Sequence, residues 1–449
     1  MKKHIFPKTN QTEEAMKVKN FCLGMLALFL VLVLANIAFA AGSGAFRVEI
    51  PDGEALGKGS AFAGEADNPS AVYYNPSGIT QLKGQAHLSV GLAPLHTKIE
   101  RESFGGDTTQ MRQNMFLIPH TYFVSDFNID GWAFGVGTGS NWGTGTDWAD
   151  DSFSRYVATK SELTNIDSMV VAAYEINESL SLGAGAIISH SKVSKQKKLL
   201  QDSGSFSDGG FQIKGDDTGY GYTLSGLYKL SSQHQFGLQY RSPIELKYRG
   251  RMSLDNLQGT YASVFGGSTF TTDITSELEL PQSVILGYSF TPNDKWRFNF
   301  DVEWFDWSKV ERELLVYEAA LTGSQSTVLN TGNPAPRDWD DAFSAAVGAE
   351  YNWSDRLRLR GGYYFHERPV NERNLESTLP DANSHGMTMG FGYDIHSDLT
   401  LDMAYSILIY ENDTIDNAAG SAFGGDVDGE YENMVNMAGV TVNYRFGFL

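Results

Sequence analysis

Leu399-Thr400-Leu401-Asp402-Met403-Ala404-Tyr405-Ser406-Ile407-Leu408-Ile409 decides how this chain is read. Leu399, Leu401, Met403, Tyr405, Ile407 and Ile409 alternate with Thr400, Asp402, Ala404 and Ser406, the period of two that marks a β-strand with unlike faces. Trp296, Phe298, Phe300, Val302 and Trp304 alternate in the same way with Arg297, Asn299, Asp301 and Glu303. Leu357, Leu359, Tyr363 and Phe365 do so with Arg356, Arg358, Arg360 and His366. In each stretch one face is apolar and the other polar or charged.

Working outward, the pattern recurs near 84–98, 113–126, 131–140, 165–176, 180–196, 217–230, 234–250, 273–290, 295–310, 340–352, 356–367, 384–396, 398–410 and 433–446. That predicts fourteen strands, an even number. The connections alternate in length: Asn128 to Asp130, Asn177 to Ser179, Ser231 to Gln233, Thr291 to Asp294, Ser354-Asp355 and Ser397 are short turns, and every connection between them is long. Short turns at one end and long loops at the other are the signature of an up-and-down outer-membrane barrel. A secreted β-sandwich or propeller also alternates, but its strands run to roughly five or six residues. Here many are longer, and Trp296, Trp304, Tyr363, Tyr405, Tyr444 and Phe446 sit near the ends of apolar faces, where interfacial girdles lie.

Composition bounds the alternatives. The chain has 449 residues, 41% apolar, 12% aromatic and 20% charged, with a formal charge of -20. This is too apolar for disorder, and a mean hydropathy of -0.27 does not fit a bundle of membrane helices. Acidity argues against nucleic acid as a partner, since phosphate recognition needs clustered Lys and Arg. The single cysteine, Cys22, excludes a disulfide framework or a Cys-based zinc site.

The amino terminus reads as an export signal. Phe21 to Ala35 is an apolar run interrupted only by Gly24, preceded by Lys17 and Lys19, and Ala38-Phe39-Ala40 supplies a small-x-small cleavage pattern. Met16 serves as a start as well as Met1 does. Removal of residues 1–40 takes away five Lys and two Glu and moves the formal charge to -23. The expected organisation is therefore a signal peptide over 1–40, a separate segment over 41–83 and a barrel over 84–449.

Residues 41–83 do not alternate. Leu56 to Ala66 mixes Ala and Gly, Asn68-Pro69-Ser70 precedes Ala71-Val72-Tyr73-Tyr74, and Asn75-Pro76-Ser77-Gly78 is a strong turn signal. A fourteen-stranded lumen leaks unless something fills it, so this segment is expected to be a plug. Gly131, Gly135, Gly137, Gly139, Gly143 and Gly145 crowd the third strand, which is the expected place for a kink or bulge in the wall. The alternative is that these glycines keep positions beside the plug small.

The run Gly57-Lys58-Gly59 through Ala63-Gly64-Glu65-Ala66, followed by Asn75-Pro76-Ser77-Gly78, resembles the hatch of the FadL/TodX family of outer-membrane transporters. Arg155 to Leu163, Ala173-Tyr174, Leu180 to Gly185, Leu280-Pro281-Gln282-Ser283, Val302-Glu303-Trp304 and Leu379-Pro380-Asp381 continue the resemblance. Asp167-Ser168 stands where the family often has Asn-Pro, and Ser77 where Ala is common. The resemblance implies an all-β fold: a monomeric 14-stranded antiparallel transmembrane β-barrel plugged by an N-terminal hatch. It also implies passive uptake of hydrophobic compounds, such as long-chain fatty acids or aromatic hydrocarbons, with lateral release through the wall and without catalytic residues, cofactor or metal.

On this reading Asn75, Pro76, Ser77 and Gly78 set the closed shape of the hatch, and Gly135, Gly137 and Gly139 mark the lateral opening, facing the Asn75–Gly78 turn. Candidate ligand contacts are Phe46, Trp142, Trp148, Phe153, Arg155, Tyr156 and Lys160. The expected surroundings are a hydrophobic small molecule, outer-membrane lipid and lipopolysaccharide, and the barrel-insertion machinery, which meets an aromatic last strand ending Tyr444-Arg445-Phe446. The competing readings are a general diffusion porin, an adhesin, and a lipid hydrolase using a Ser and a His on neighbouring strands. The acids crowding 411–432 break the EF-hand spacing and read as a solvated loop.

Overall fold

The computed structural model describes residues 44–49, 52–84, 86–112, 115–417 and 425–446; the export segment lies outside them. Fourteen strands form the ring. They are β1 (Ala86–Glu102), β2 (Met115–Ser125), β3 (Trp132–Gly139, resumed at Gly143–Asp147), β4 (Lys160–Asn177), β5 (Leu180–Leu199), β6 (Gly209–Lys229) and β7 (His234–Arg241, resumed at Ile244–Asp255). Then come β8 (Phe270–Leu280, resumed at Ser283–Asn293), β9 (Trp296–Phe305), β10 (Ala342–Asn352), β11 (Leu357–His366), β12 (Ser384–His396), β13 (Leu399–Tyr410) and β14 (Gly429–Phe446). Each pairs antiparallel with its neighbours, and β14 returns to β1 from Ala86↔Phe446 to Glu102↔Glu430, which closes the barrel.

The alternation assigns the two faces. In β13, Met403, Tyr405 and Ile409 are exposed outward, whereas Asp402, Ala404, Ser406 and Leu408 are buried inward. In β9, Phe300 and Val302 face out, and Asn299 and Asp301 are buried. A closed ring satisfies its backbone groups within the wall, and its outward band is apolar, as a membrane-crossing surface requires; no helix among the described residues is long and apolar enough to cross a membrane. At the end with short turns, Trp296 meets Phe298 (5.5 Å) and Tyr351 (4.6 Å), Trp132 meets Tyr174 (5.0 Å) and Tyr444 meets Phe446 (5.8 Å), as in an interfacial girdle.

Several strands run further toward the long loops than the sequence pattern suggests: β4 begins at Lys160 and β6 at Gly209. Above the membrane the outward positions turn polar, Lys214 and Asp216 among them, so apolar alternation stops while the hydrogen-bond ladder goes on.

Residues 52–84 fill the lumen as three short elements: α1 (Gly53–Gly57), α2 (Ala71–Tyr74) and a 3₁₀ helix, Pro76–Gln81. None is long enough to hold its shape alone, so the wall sets it. Asp301 of β9 accepts from the backbone N–H groups of Phe62 and Ala63 (both 2.8 Å). Thr441 of β14 accepts from Gly53 N (2.8 Å), and Gln239 of β7 donates to Tyr73 O (2.7 Å). Gly64 comes so close to β8 that a Cβ there would lie 2.5 Å from Tyr288 N. Lys58 is fully buried between Glu65 (2.5 Å) and Glu54 (3.2 Å). Arg360 of β11 joins Glu54 (3.2 Å), Glu350 (2.7 Å) and Asp402 (2.5 Å), and Arg297 of β9 pairs with Glu65 and Asp67.

Candidate functional site: a break in the wall beneath an apolar cavity

The wall is incomplete at one place. β2 and β3 pair only over Thr121–Ser125 with Phe134–Thr138. Above that, Met115 to His120 pair with β1 and with no residue of β3, while the resumed part of β3, Gly143–Asp147, pairs with β4. Pro119, which brings no N–H to a ladder, lies in this half-paired stretch. Between the two parts of β3 the chain leaves the ladder at Ser140, Asn141 and Trp142.

A strap formed by residues 44–49 lies against the break. Arg47 stands opposite Trp142 as an antiparallel bridge; Val48 N donates to Asn141 O (3.0 Å) and Gly143 N to Phe46 O (2.7 Å). The strap thus supplies backbone partners that β2 does not. Four contacts hold it. Ala45 N donates to Asp381 (2.8 Å), Arg47 pairs with Glu303 (3.1 Å) and donates to Ser344 (3.0 Å), and Glu49 meets His366 (2.9 Å). Ser344 and His366 are neighbours across β10 and β11, as a hydrolase pair requires, with Oγ and Nδ1 2.8 Å apart. Both are buried and joined to Arg47 and Glu49, which makes them anchors for the strap.

Behind the break, Ser140 donates to Asn165 O (2.5 Å) and Asn141 to Asp167 (2.6 Å). Arg241 of β7 approaches Asp167 (4.0 Å) and lies over the ring of Tyr73 in α2 (4.2 Å), so one cation links the kinked strand to the hatch.

The strand glycines have a local cause. Gly135, Gly137 and Gly139 face inward: a Cβ on Gly135 would lie 2.6 Å from Val72 of α2, and one on Gly137 would lie 2.3 Å from the Tyr122 ring. Thus Val72 of α2 meets Gly135, while Gly137 and Gly139 lie against Tyr122 of β2. The turn sits against β5 and β6. Ser77 N donates to Ser225 Oγ (2.8 Å), Asn75 Nδ2 donates to Gly226 O (3.3 Å) and Ala63 O (2.8 Å), and a Cβ on Gly183 would lie 2.5 Å from Ser77 N. Asn75 also caps the 3₁₀ helix by accepting from Ser77 N (3.2 Å) and Oγ (2.5 Å), with Pro76 at its first turn. A Cβ on Gly78 would lie 2.2 Å from Ala66 O.

Above the strap lies a cavity of about 510 Å³ whose wall sets Phe46, Leu163, Leu246, Ile274, Trp339 and Leu379 among charged side chains, Lys195, Glu313 and Arg337 included. A second hollow of about 540 Å³ lies further out, lined by Leu199, Phe211, Leu254, Tyr261, Tyr317 and Leu329. Helices α3 (Gly259–Phe265) and α4 (Gly323–Leu329) cover it from the loops. Phe46 belongs to both functional parts: its side chain lines the inner cavity and its carbonyl holds Gly143.

The other candidate contacts are packed or paired. Trp142 meets Trp307 edge-on (5.6 Å), and Trp148 is fully buried with Nε1 donating to Ser377 O (3.0 Å). Phe153 packs on Trp148 (5.3 Å) beneath the Arg101 guanidinium. Arg155 pairs with Asp208 (3.1 Å), to which Tyr156 also donates (2.9 Å), and Lys160 pairs with Glu162 (2.5 Å) at the edge of the outer hollow. Among the described residues one acid cluster has the spacing of a metal site: Glu54, Glu65 and Asp67. Its oxygens are taken by Lys58, Arg297, Arg360 and Asn68.

A plugged fourteen-strand ring with one strand broken beneath an apolar cavity is the geometry against which known proteins are compared. Residues 31–446 match the family described as outer membrane protein transport protein (OMPP1/FadL/TodX). The chain belongs to this family.

Among FadL/TodX relatives, the long-chain fatty acid transport protein of Escherichia coli O6:H1 is 23% identical over 93% of this chain and 98% of its own. A putative outer membrane protein of Neisseria meningitidis serogroup B is 26% identical over 94% and 99%. In fold the chain is similar to a Pseudomonas aeruginosa FadL homologue (TM-score 0.76, 19% identity, 89% of this chain and 99% of that one). It is also similar to the Ralstonia pickettii toluene transporter TbuX (TM-score 0.67, 18% identity, 88% and 98%). It is thus a member of a family of outer-membrane transport proteins for hydrophobic compounds.

In this FadL/TodX member, sequence reasoning missed Glu49, Asp167, Arg241, Glu303, His366 and Asp381 as partners of the strap and the kink. Glu303 and His366 carried a signal, because they are ionisable residues on inward faces of barrel strands. Asp381 sits in a loop, where its one signal was the family-like Leu379-Pro380-Asp381.

Proposed function

We propose that the chain takes up hydrophobic compounds passively, receiving them in the apolar cavities between the long loops and releasing them sideways where β3 leaves the ladder. The observation that carries this reading is the double role of Phe46. A ligand that displaces its ring from the inner cavity pulls on the carbonyl that holds Gly143, so occupancy of the cavity and opening of the wall are linked through one residue. Water in the periplasm dissolves such a ligand poorly, so a lateral path into the bilayer is favoured over one straight through the lumen. The hatch rearranges only as far as the strap must move, and no bond in the ligand is made or broken.

Long-chain acyl compounds and aromatic hydrocarbons both fit apolar hollows of this size, in line with the names of the relatives. The barrel acts as a monomer delivered by a cleaved signal, with β14 presenting Val440, Val442, Tyr444 and Phe446 outward to the insertion machinery and lipid. The test is uptake of labelled oleate and of labelled toluene by a strain that lacks its own transporter. Faster uptake of at least one than in cells with the empty vector is expected, with little ion conductance in planar bilayers. A large stable conductance with no gain in uptake of either compound would turn the reading toward a diffusion porin.

A further inference from the structure

The two hollows share one partition, in which an ionic chain lies beside Ile213 and Leu315. Lys195 of β5, Glu313 and Arg337 from the loop between β9 and β10, and Glu376 from the loop between β11 and β12 line both. Lys195 Nζ reaches both carboxylate oxygens of Glu313 (2.5 and 2.6 Å), and Arg337 bridges Glu313 (2.7 Å) and Glu376 (2.8 Å). Thr378 Oγ1 donates to Glu376 (2.6 Å). Two cations and two carboxylates cancel within one chain of contacts. Desolvation raises the two carboxyl groups, but the neighbouring cations outweigh it and hold both below the usual carboxylate range, so both stay ionised.

A net-neutral partition between apolar chambers treats ligands differently. An uncharged molecule loses little by passing into the inner cavity. An ionised headgroup must be stripped of water, which is costly unless a cation receives it, and here both cations are already occupied. Lys197, beside the Phe211 ring (5.3 Å), lines the outer hollow and not the inner one. Lys214, Lys247, Lys309 and Arg312 border the inner cavity but are exposed, where water screens them.

We propose that Lys195, Glu313, Arg337 and Glu376 form a charge-neutral filter that admits uncharged hydrophobic molecules to the inner cavity and holds ionised fatty carboxylates in the outer hollow. This rests on the uptake reading above and specifies its substrate class. Trp339 in the inner wall provides a local readout. Quenching of its fluorescence, taken as the difference between the parent protein and Trp339→Phe, is measured with dibromostearyl alcohol and with dibromostearate at pH 9.

The alcohol is expected to quench, with the acid about tenfold weaker, the scale of one charge-assisted contact. Glu313→Gln leaves Lys195 and Arg337 with surplus charge and should strengthen the acid about tenfold without moving the alcohol. The charge-balanced pair Lys195→Met with Glu313→Gln should restore the parent's discrimination, an outcome that loss of packing alone would not give. Equal quenching by both ligands in the parent, or no change in the acid on Glu313→Gln, overturns the filter and leaves uptake standing. Quenching by neither ligand overturns the uptake reading and the filter with it.

Discussion

The hatch meets two unlike walls. Toward β9–β14 it is fixed largely by charged groups: Arg360 to Glu54, Arg297 to Glu65 and Asp67, and Asp301 to two backbone N–H groups, with the neutral Thr441–Gly53 bond beside them. Toward β3–β6 the contacts are small and mostly neutral: Val72 over Gly135, Ser77 on Ser225 and Gly183, and Thr80 on Ser181 (2.8 Å). A plug held strongly on one side and lightly on the other moves, when it moves, at the light side. That is the side where β3 breaks and the strap lies.

The largest effect is expected on the strong side. Arg360→Met leaves Glu350 and Asp402 buried without their cation, and Glu54 with Lys58 alone, and should destabilise the hatch by roughly 3–5 kcal/mol. Ion conductance in planar bilayers should rise as the lumen opens; unchanged conductance and thermal stability would show that the charged wall is not what fixes the plug. Next in size is a lock on the light side. Arg47 and Trp142 face each other across a bridge, a position where paired cysteines reach one another. Oxidised Arg47→Cys/Trp142→Cys should abolish uptake and reductant should restore it, and uptake by the oxidised form would mean the strap does not gate the wall.

A smaller loss should follow Gly137→Val, whose first atom would overlap the Tyr122 ring, at a cost of about 1–3 kcal/mol and with slowed uptake. Gly226→Val, with its nearest neighbour at 3.7 Å, is the control and should leave uptake intact. Smallest of all is Ser77→Ala. It removes one hydroxyl bond to Asn75 while the backbone N–H bond remains, so about 1 kcal/mol and no change in uptake is expected. A marked uptake defect there would place the moving part in the turn and not in the strap.

The barrel was legible because a wall between lipid and a polar lumen imposes a period of two over long strands, with aromatics near the ends of the apolar faces and short turns at one end only. Arg297, Asn299, Asp301 and Glu303 announced a polar interior before any contact was known. Strand ends at Lys160 and Gly209 were not legible, because above the membrane both faces are polar and the ladder continues without a hydrophobic pattern. The glycines of β3 lie on the strand that leaves the ladder. Their spacing did not place the break at Ser140 to Trp142, and it did not show that Val72 of α2 packs on Gly135. Trp148 and Phe153, candidate ligand contacts by residue type, meet Ser377 and Arg101, partners distant in sequence that no local pattern announces.

By itself the sequence determined the strand count, the two faces, the end that carries the long loops and the segment inside the ring, since each follows from local periodicity and turn chemistry. Only the tertiary structure decided that the strap replaces β2 beside β3, that Arg241 ties the kink to the hatch, and that Lys195, Glu313, Arg337 and Glu376 meet between two apolar hollows. Those groups come from strands and loops far apart in the chain. No local pattern encodes which inward charge will face which, because the closure of the ring sets their distances.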